Sequence, residues 1–166
     1  MADSGSGVSL WGNLFKKSET WHEMVAALWA KTPLFRKIPQ KEIIRLVKNM
    51  HPRHFKPGEV IFRTSDQGAG AAMVLSGKVE IRAGEVVLTT LGPGDFFGEV
   101  SLVLDERRTA DAVAVEDSEL AFFLRIDLEE WIDRVPRHGA RLGTNLAHVL
   151  AHRLLHANRM LSQRGM

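Results

Sequence analysis

The order of hydrophobic periods along the chain predicts an α+β fold: an antiparallel, jelly-roll-like β-roll flanked by N-terminal helices and a long C-terminal helix. Three observations carry this expectation. Between residues 53 and 126, short apolar runs recur at close spacing, separated by Gly, Pro and Ser-Gly turns. Within that span Val79 and Ile81 alternate with Glu80 and Arg82, the period of a half-buried strand. On either side, apolar residues fall three and four apart, the period of a helix with one buried face. Many short strands with tight turns between two helical ends point to a sandwich or jelly roll.

Bulk properties exclude several classes. With 166 residues the chain is long enough for one domain with attachments and a proper core. A composition 45% hydrophobic and 25% charged argues against global disorder. A net charge of +2 is too small to argue for nucleic acid. The absence of cysteine rules out disulfides, thiolate catalysis and cysteine zinc sites. No apolar run approaches the roughly 20 residues that span a bilayer, and the N-terminus shows no secretory signal. A cytoplasmic protein without membrane contact is expected.

Residues 1–17 read as a mobile tail, small and polar to Val8, in which Leu10, Trp11, Leu14 and Phe15 nevertheless recur at helical spacing. That stub either docks on the protein's own core or meets a partner. Residues 18–52 form a helical segment. Ser18-Glu-Thr-Trp-His-Glu begins a helix with Trp21, Val25, Leu28 and Trp29 on one face, and Pro33 stops it. A turn then leads to a second amphipathic helix carrying Ile43, Ile44, Leu46 and Val47. Residues 53–126 form the roll: strands at Val60–Phe62, Ala72–Leu75, Val79–Ile81, Val86–Leu91, Ala112–Val115 and Leu120–Leu124, with Gly84 closing a tight hairpin. Residues 127–166 return to helix. Asp127 is the predicted cap of a helix carrying Leu128, Trp131 and Ile132, and Pro136 ends it. A long helix follows, with Leu142, Leu146, Val149, Leu150, Leu154, Ala157 and Leu161 as its apolar stripe, weakened at Gly143 and interrupted at Arg153.

One stretch, Leu91 to Ala110, breaks the strand pattern. Gly92, Pro93 and Gly94 turn the chain, Gly98 permits a reversal or a close approach, and Glu99-Val-Ser-Leu-Val suits about one helical turn. The first amides of such a turn have no partner inside it and suit an anion. Arg108 and Thr109 follow with a guanidinium and a hydroxyl. An anion cradle, an arginine, a hydroxyl and one carboxylate together suit a ligand with a phosphate and a sugar hydroxyl.

At these residues the chain resembles the cyclic nucleotide-binding domain family, which includes bacterial catabolite activator proteins, regulatory subunits of cyclic-nucleotide-dependent kinases and nucleotide-gated channels. Phe97-Gly98-Glu99-Val100-Ser101-Leu102, followed by Arg108-Thr109-Ala110, resembles the family's phosphate-binding cassette. The resemblance implies that Glu99 accepts from the ribose 2′-hydroxyl, that Arg108 pairs with the cyclic phosphate, and that Thr109 contacts phosphate or base. Phe97, Gly98, Glu99, Val100, Ser101, Arg108, Thr109 and Ala110 are therefore the candidate ligand-binding residues. The likeness covers about Leu34 to Leu161 and departs from the family at three places. Arg107 stands where proline is common, Ala72 where an aromatic is frequent, and no helix-turn-helix follows the long helix, so no DNA contact is expected.

Competing chemistries are weaker. Glu99 and Arg108 as a mere structural ion pair would leave Gly98 and Thr109 unexplained. A metal enzyme on a jelly roll needs histidines on the strands, and none lies between Phe55 and Arg137. His148, His152 and His156 sit four apart on a helix and suit a polar face or dimer rim better than a zinc site. No nucleophile–base pair stands out, so no catalytic residue is assigned. Residues from Val135 onward include five arginines and no Asp or Glu, which suits either a solvated helix or an acidic partner. The expected function is a non-catalytic sensor of cyclic AMP, or less readily cyclic GMP, without metal or other cofactor. It would signal through its C-terminal helix to an effector protein or as a homodimer. The competing expectation is an interaction module on the same fold with an empty pocket.

Overall fold

Thr20 and Glu23 cap the first helix of the described chain reciprocally. The Thr20 hydroxyl accepts from the Glu23 amide at 3.3 Å, and the Glu23 carboxylate accepts from the Thr20 amide at 2.9 Å. The computed structural model describes residues 20–164, so Ser18 and the apolar stub at Leu10, Trp11, Leu14 and Phe15 lie outside it. Helix α1 (Trp21–Ala30) buries Val25, Ala26 and Trp29, a 3-10 turn at Pro33–Phe35 reverses the chain, and α2 (Gln40–Val47) buries Ile43, Leu46 and Val47.

Eight strands follow: β1 (His51–Phe55), β2 (Val60–Phe62), β3 (Gly70–Ser76), β4 (Val79–Ala83), β5 (Val86–Leu91), β6 (Phe96–Phe97), β7 (Asp111–Ala114) and β8 (Ser118–Leu124). They pair antiparallel in two four-stranded sheets, ordered β1-β8-β3-β6 and β2-β7-β4-β5. The period-2 rule divides the core in two. From β3 and β8, Ala72, Val74 and Leu120 face the inside of the roll, where they meet Phe55, Val79 and Phe97. Their neighbours Ala71, Met73, Ala121 and Phe123 face the helices. Both faces of these strands are buried, which is why they read as continuous apolar runs. On the helical side Trp29 packs against Phe35, Phe96 and Phe123, with ring centroids 5.3, 5.7 and 6.2 Å away. Such pairs add about 0.5–1.5 kcal/mol each beyond buried area.

Two strands escaped the sequence reading. β1, His51-Pro-Arg-His-Phe, is an edge strand on β8 with only Phe55 buried, so it has no alternation to reveal it. Pro52 is tolerated there because an edge strand has a side without partners. β6 is two residues long, set opposite Ala72 and Met73.

The capping role expected of Asp127 is not observed. Strand β8 runs directly into α3 (Arg125–Arg134), whose cap position is Leu124, and Asp127 lies within the first turn. The Arg125 amide donates to the Ala69 carbonyl at 2.8 Å, so the roll itself, not a side chain, satisfies that amide. Helix α4 (Pro136–Arg164) starts on a proline, whose missing N–H costs nothing at a first helical position. Its apolar stripe divides. Leu142, Leu146 and Val149 are buried, whereas Leu154 and Leu161 are 61% and 67% exposed. Buried Asn145 fastens the first half, donating to the carbonyls of Leu34 and Arg36 at 2.9 and 2.8 Å. Among the described residues no helix is long and apolar enough to cross a membrane.

Candidate functional site

Strand β6 delivers the chain to Gly98, which adopts φ +76°. A side chain there would be strained by that angle and would also meet Arg108 Nη1 at 2.7 Å and the Gly70 carbonyl at 3.1 Å. The angle by itself calls for glycine, and an added side chain would also push the Arg108 guanidinium aside. The expected helical turn follows as a single 3-10 turn, Glu99–Leu102.

Arg108 is held through both its backbone and its guanidinium. Its backbone is tied to the loop after β2: the Arg108 amide donates to the Asp66 carbonyl, and the Ser65 amide donates to the Arg108 carbonyl, both at 2.8 Å. Its guanidinium donates to the Ser101 hydroxyl and the Gly70 carbonyl, both at 2.9 Å, and to the Gly98 carbonyl at 3.4 Å. It also lies over the Phe62 ring, 4.1 Å from the centroid. All of these partners are neutral. Burial pulls the arginine's pKa down from its ordinary value, opposed by the more distant charges of Asp66 and Glu99. Here a desolvated cation is aimed by a neutral frame and forms no ion pair among the described residues.

Glu99 is 4% exposed, so a carboxylate is buried at the start of the turn. Its charge partner comes from α4: Arg153 Nη1 stands 2.5 Å from Glu99 Oε2. The other end of the Arg153 guanidinium donates to the Phe96 carbonyl at 2.9 Å, with the Phe96 ring 5.1 Å from its centre. Arg153 is therefore no flaw in the α4 stripe. It marks the point at which the helix leaves the core and reaches the turn.

Of the residues singled out from sequence, Gly98, Glu99, Ser101 and Arg108 converge. Phe97 is buried in the roll core, its ring 5.8 Å from that of Phe62. Val100 is 45% exposed, Thr109 is exposed and Ala110 half-buried. Arg107 turns away and donates to the Ser65 carbonyl at 2.7 Å. Sequence reasoning missed Phe62, the Gly70 carbonyl and the Glu99–Arg153 contact. Only the interruption at Arg153 left a local signal. Among the described residues no group of three or more His, Asp or Glu side chains is placed to hold a metal ion. His148, His152 and His156 are exposed along α4.

A guanidinium held by neutral acceptors, a helical turn and a buried carboxylate lie within one strand-to-strand connection, a set able to hold a ligand. Comparison with known proteins agrees with that composition. The family described as "Cyclic nucleotide-binding domain" matches residues 52–135. A "Cyclic AMP receptor protein" from Thermus thermophilus is 37% identical over 132 residues, covering 76% of this chain and 59% of that protein. A "CRP-like cAMP-activated global transcriptional regulator" from Mycobacterium tuberculosis is 31% identical over 138 residues, 80% of this chain and 60% of its own length. The chain thus spans about three-fifths of these relatives. Among solved structures, the Thermus thermophilus catabolite activator protein superposes with a TM-score of 0.71 at 36% identity, over 81% of this chain and 63% of that one. A cyclic nucleotide-binding domain from Methylobacillus flagellatus shares the fold, with a TM-score of 0.74 at 21% identity over 86% and 84% of the two chains.

Proposed function

This chain belongs to the cyclic nucleotide-binding domain family, and on that premise we propose that it is a non-catalytic sensor of cyclic nucleotide, cyclic AMP in preference to cyclic GMP. The observation that carries the reading is Arg108: a partly desolvated guanidinium, oriented by the Ser101 hydroxyl, the Gly70 carbonyl and the Phe62 ring, that forms no ion pair among the described residues. Structural arginines in the interior are normally paired. One kept unpaired by a neutral frame is prepared for an anion from outside, and its planar fork matches a phosphate.

In this reading the cyclic phosphate takes the Arg108 fork and the first amides of the Glu99–Leu102 turn, while the ribose 2′-hydroxyl donates to Glu99. That carboxylate already has Arg153 beside it. A ribose at Glu99 therefore changes what α4 is attached to, and α4 carries the signal to a partner protein or to a second copy of the chain. Exposed Thr109 offers a hydroxyl at the rim to phosphate or base. The preference for cyclic AMP rests on the two relatives named for it.

Calorimetric and thermal-shift titration with both nucleotides tests the reading. A ligand at 100 times its dissociation constant adds about 2.7 kcal/mol to the folded state, a clear rise in Tm for a domain of this size. Saturable binding of cyclic AMP, tighter than that of cyclic GMP, is expected. Absence of a shift with either at millimolar concentration would leave an interaction module with an empty pocket as the function.

A further inference from the structure

We propose that the face of α4 directed away from both the roll and the exposed leucines is a docking surface for an acidic segment of a partner protein. This goes beyond the nucleotide reading and does not depend on it. At about 100° per residue, α4 presents three faces. Leu142, Leu146 and Val149 are buried on the first. Leu150, Leu154, Ala157 and Leu161 follow at alternating spacings of four and three on the second, as in the seam between paired helices. Arg137, Arg141, His148, His152 and Arg159 fall within about 60° of one another on the third, and all five are exposed.

The contrast with α3 argues against a solvated helix. There Arg134 pairs with Glu130 and Arg125 approaches Glu129, the usual four-residue arrangement that balances charge along a helix. From Pro136 to Met166 there is no Asp or Glu at all. Arg137, Arg141 and Arg159 form no ion pair or side-chain hydrogen bond among the described residues, so within them the row has no counter-charge.

A second observation gives the row a concave end. Lys37, Pro39, Arg137, His138 and Arg141 line a cavity of about 360 Å³ whose walls include no carboxylate. Lys37 adopts φ 63°, a left-handed conformation uncommon for a side chain of its kind. It is brought to α4 from a hundred residues upstream by Asn145, which grips the Leu34 and Arg36 carbonyls. The fold thus gathers like charges from distant segments and fastens them together, with no carboxylate among the described residues lining the cavity.

Arg137 to Arg159 spans about 33 Å in a single file. The row's members lie four and seven residues apart, so carboxylates at spacings of four and seven along a partner helix match it. Nucleic acid fits less well, because no aromatic side chain lies in the row for bases to stack on and the chain's net charge is only +2.

The test is fluorescence anisotropy of the full chain, without nucleotide, using a labelled 14-residue peptide with Glu at every third or fourth position and Ala between. Saturable binding at 50 mM salt is expected, weakening at 300 mM. Arg137→Glu/Arg141→Glu and, separately, Arg137→Gln/Arg141→Gln should each weaken it at least tenfold, while Lys48→Glu/Lys56→Glu changes it less than twofold and melting temperatures stay level. A ten-nucleotide single strand should bind more weakly than the peptide. The proposal is overturned if the peptide does not bind at 50 mM salt. It is equally overturned if the Lys48/Lys56 variant loses as much as the arginine variants, or if the oligonucleotide binds more tightly. Because no nucleotide is present, these outcomes leave the cyclic nucleotide reading untouched.

Discussion

Replacing Arg108 by alanine is expected to remove most cyclic nucleotide affinity and to leave stability almost unchanged, and the structure says why the two effects separate. In the folded protein the guanidinium is half-buried and its charge is disfavoured by burial, with three neutral acceptors and the Phe62 ring as compensation. Alanine removes the desolvation cost and the compensation together. The acceptors left behind are carbonyls and a hydroxyl at a partly wetted site, so the net change should lie within about 1 kcal/mol of zero. Binding is different, because the phosphate keeps its own desolvation cost while losing its counter-charge. Truncating one side of such a pair costs about 2–5 kcal/mol, roughly 30-fold to several thousand-fold in dissociation constant. Arg108→Lys should fall between parent and alanine, since it keeps the charge but loses the fork and the stacking. Phe62→Leu keeps Arg108 but removes the ring beneath it, for a loss of about 2- to 30-fold. Isothermal titration with cyclic AMP, beside thermal melts of each variant, reads all of this. A folded Arg108→Ala protein that binds within threefold of the parent would refute the reasoning.

Three further outcomes are expected. Glu99→Ala should lower affinity for cyclic AMP by about 1.5–3 kcal/mol, and should abolish discrimination against the 2′-deoxy nucleotide that the parent shows; equal discrimination by both proteins would exclude Glu99 from the ribose. Leu154→Glu/Leu161→Glu should weaken self-association in sedimentation experiments while leaving the melting temperature near the parent's, because both leucines are more than half exposed; a parent that stays monomeric at high concentration, with and without nucleotide, would assign that seam to another protein. Asp111 accepts from the amide and hydroxyl of Thr64 at 2.6 and 2.9 Å, which holds its pKa below the usual carboxylate value. A depressed folded pKa contributes stability that is present above the unfolded value near 3.9 and lost as pH falls through the folded one. Asp111→Ala should therefore melt below the parent at pH 7, with the gap narrowing as pH falls below about 4; a gap independent of pH would mean that the carboxylate's charge is not what matters.

What could be read in the sequence was whatever depends on neighbours along the chain. Helical spacing announced α1, α2 and α4, and alternation and glycine turns announced most of the roll and the reversal at Gly98 with the helical turn after it, because hydrophobic period and turn chemistry are local properties. Elements without such a period stayed hidden. β1 is polar and exists through its pairing with β8, β6 has two residues, and the start of α3 is set by where β8 ends, not by Asp127. The site divides in the same way. Its backbone turn and its arginine come from one continuous stretch. The ring beneath that arginine, the Gly70 carbonyl that orients it and the Arg153 side chain beside Glu99 come from β2, β3 and α4. Arg153 interrupts an apolar ridge in sequence, and the structure shows why: α4 leaves the core at that turn, so a charge there meets the buried carboxylate. Lys37 and Arg141 likewise share a cavity only because Asn145 closes a contact across more than a hundred residues. Contacts between segments far apart in the chain have no period to announce them. They are selected by the packing of all the elements at once, and so only the tertiary structure decided them.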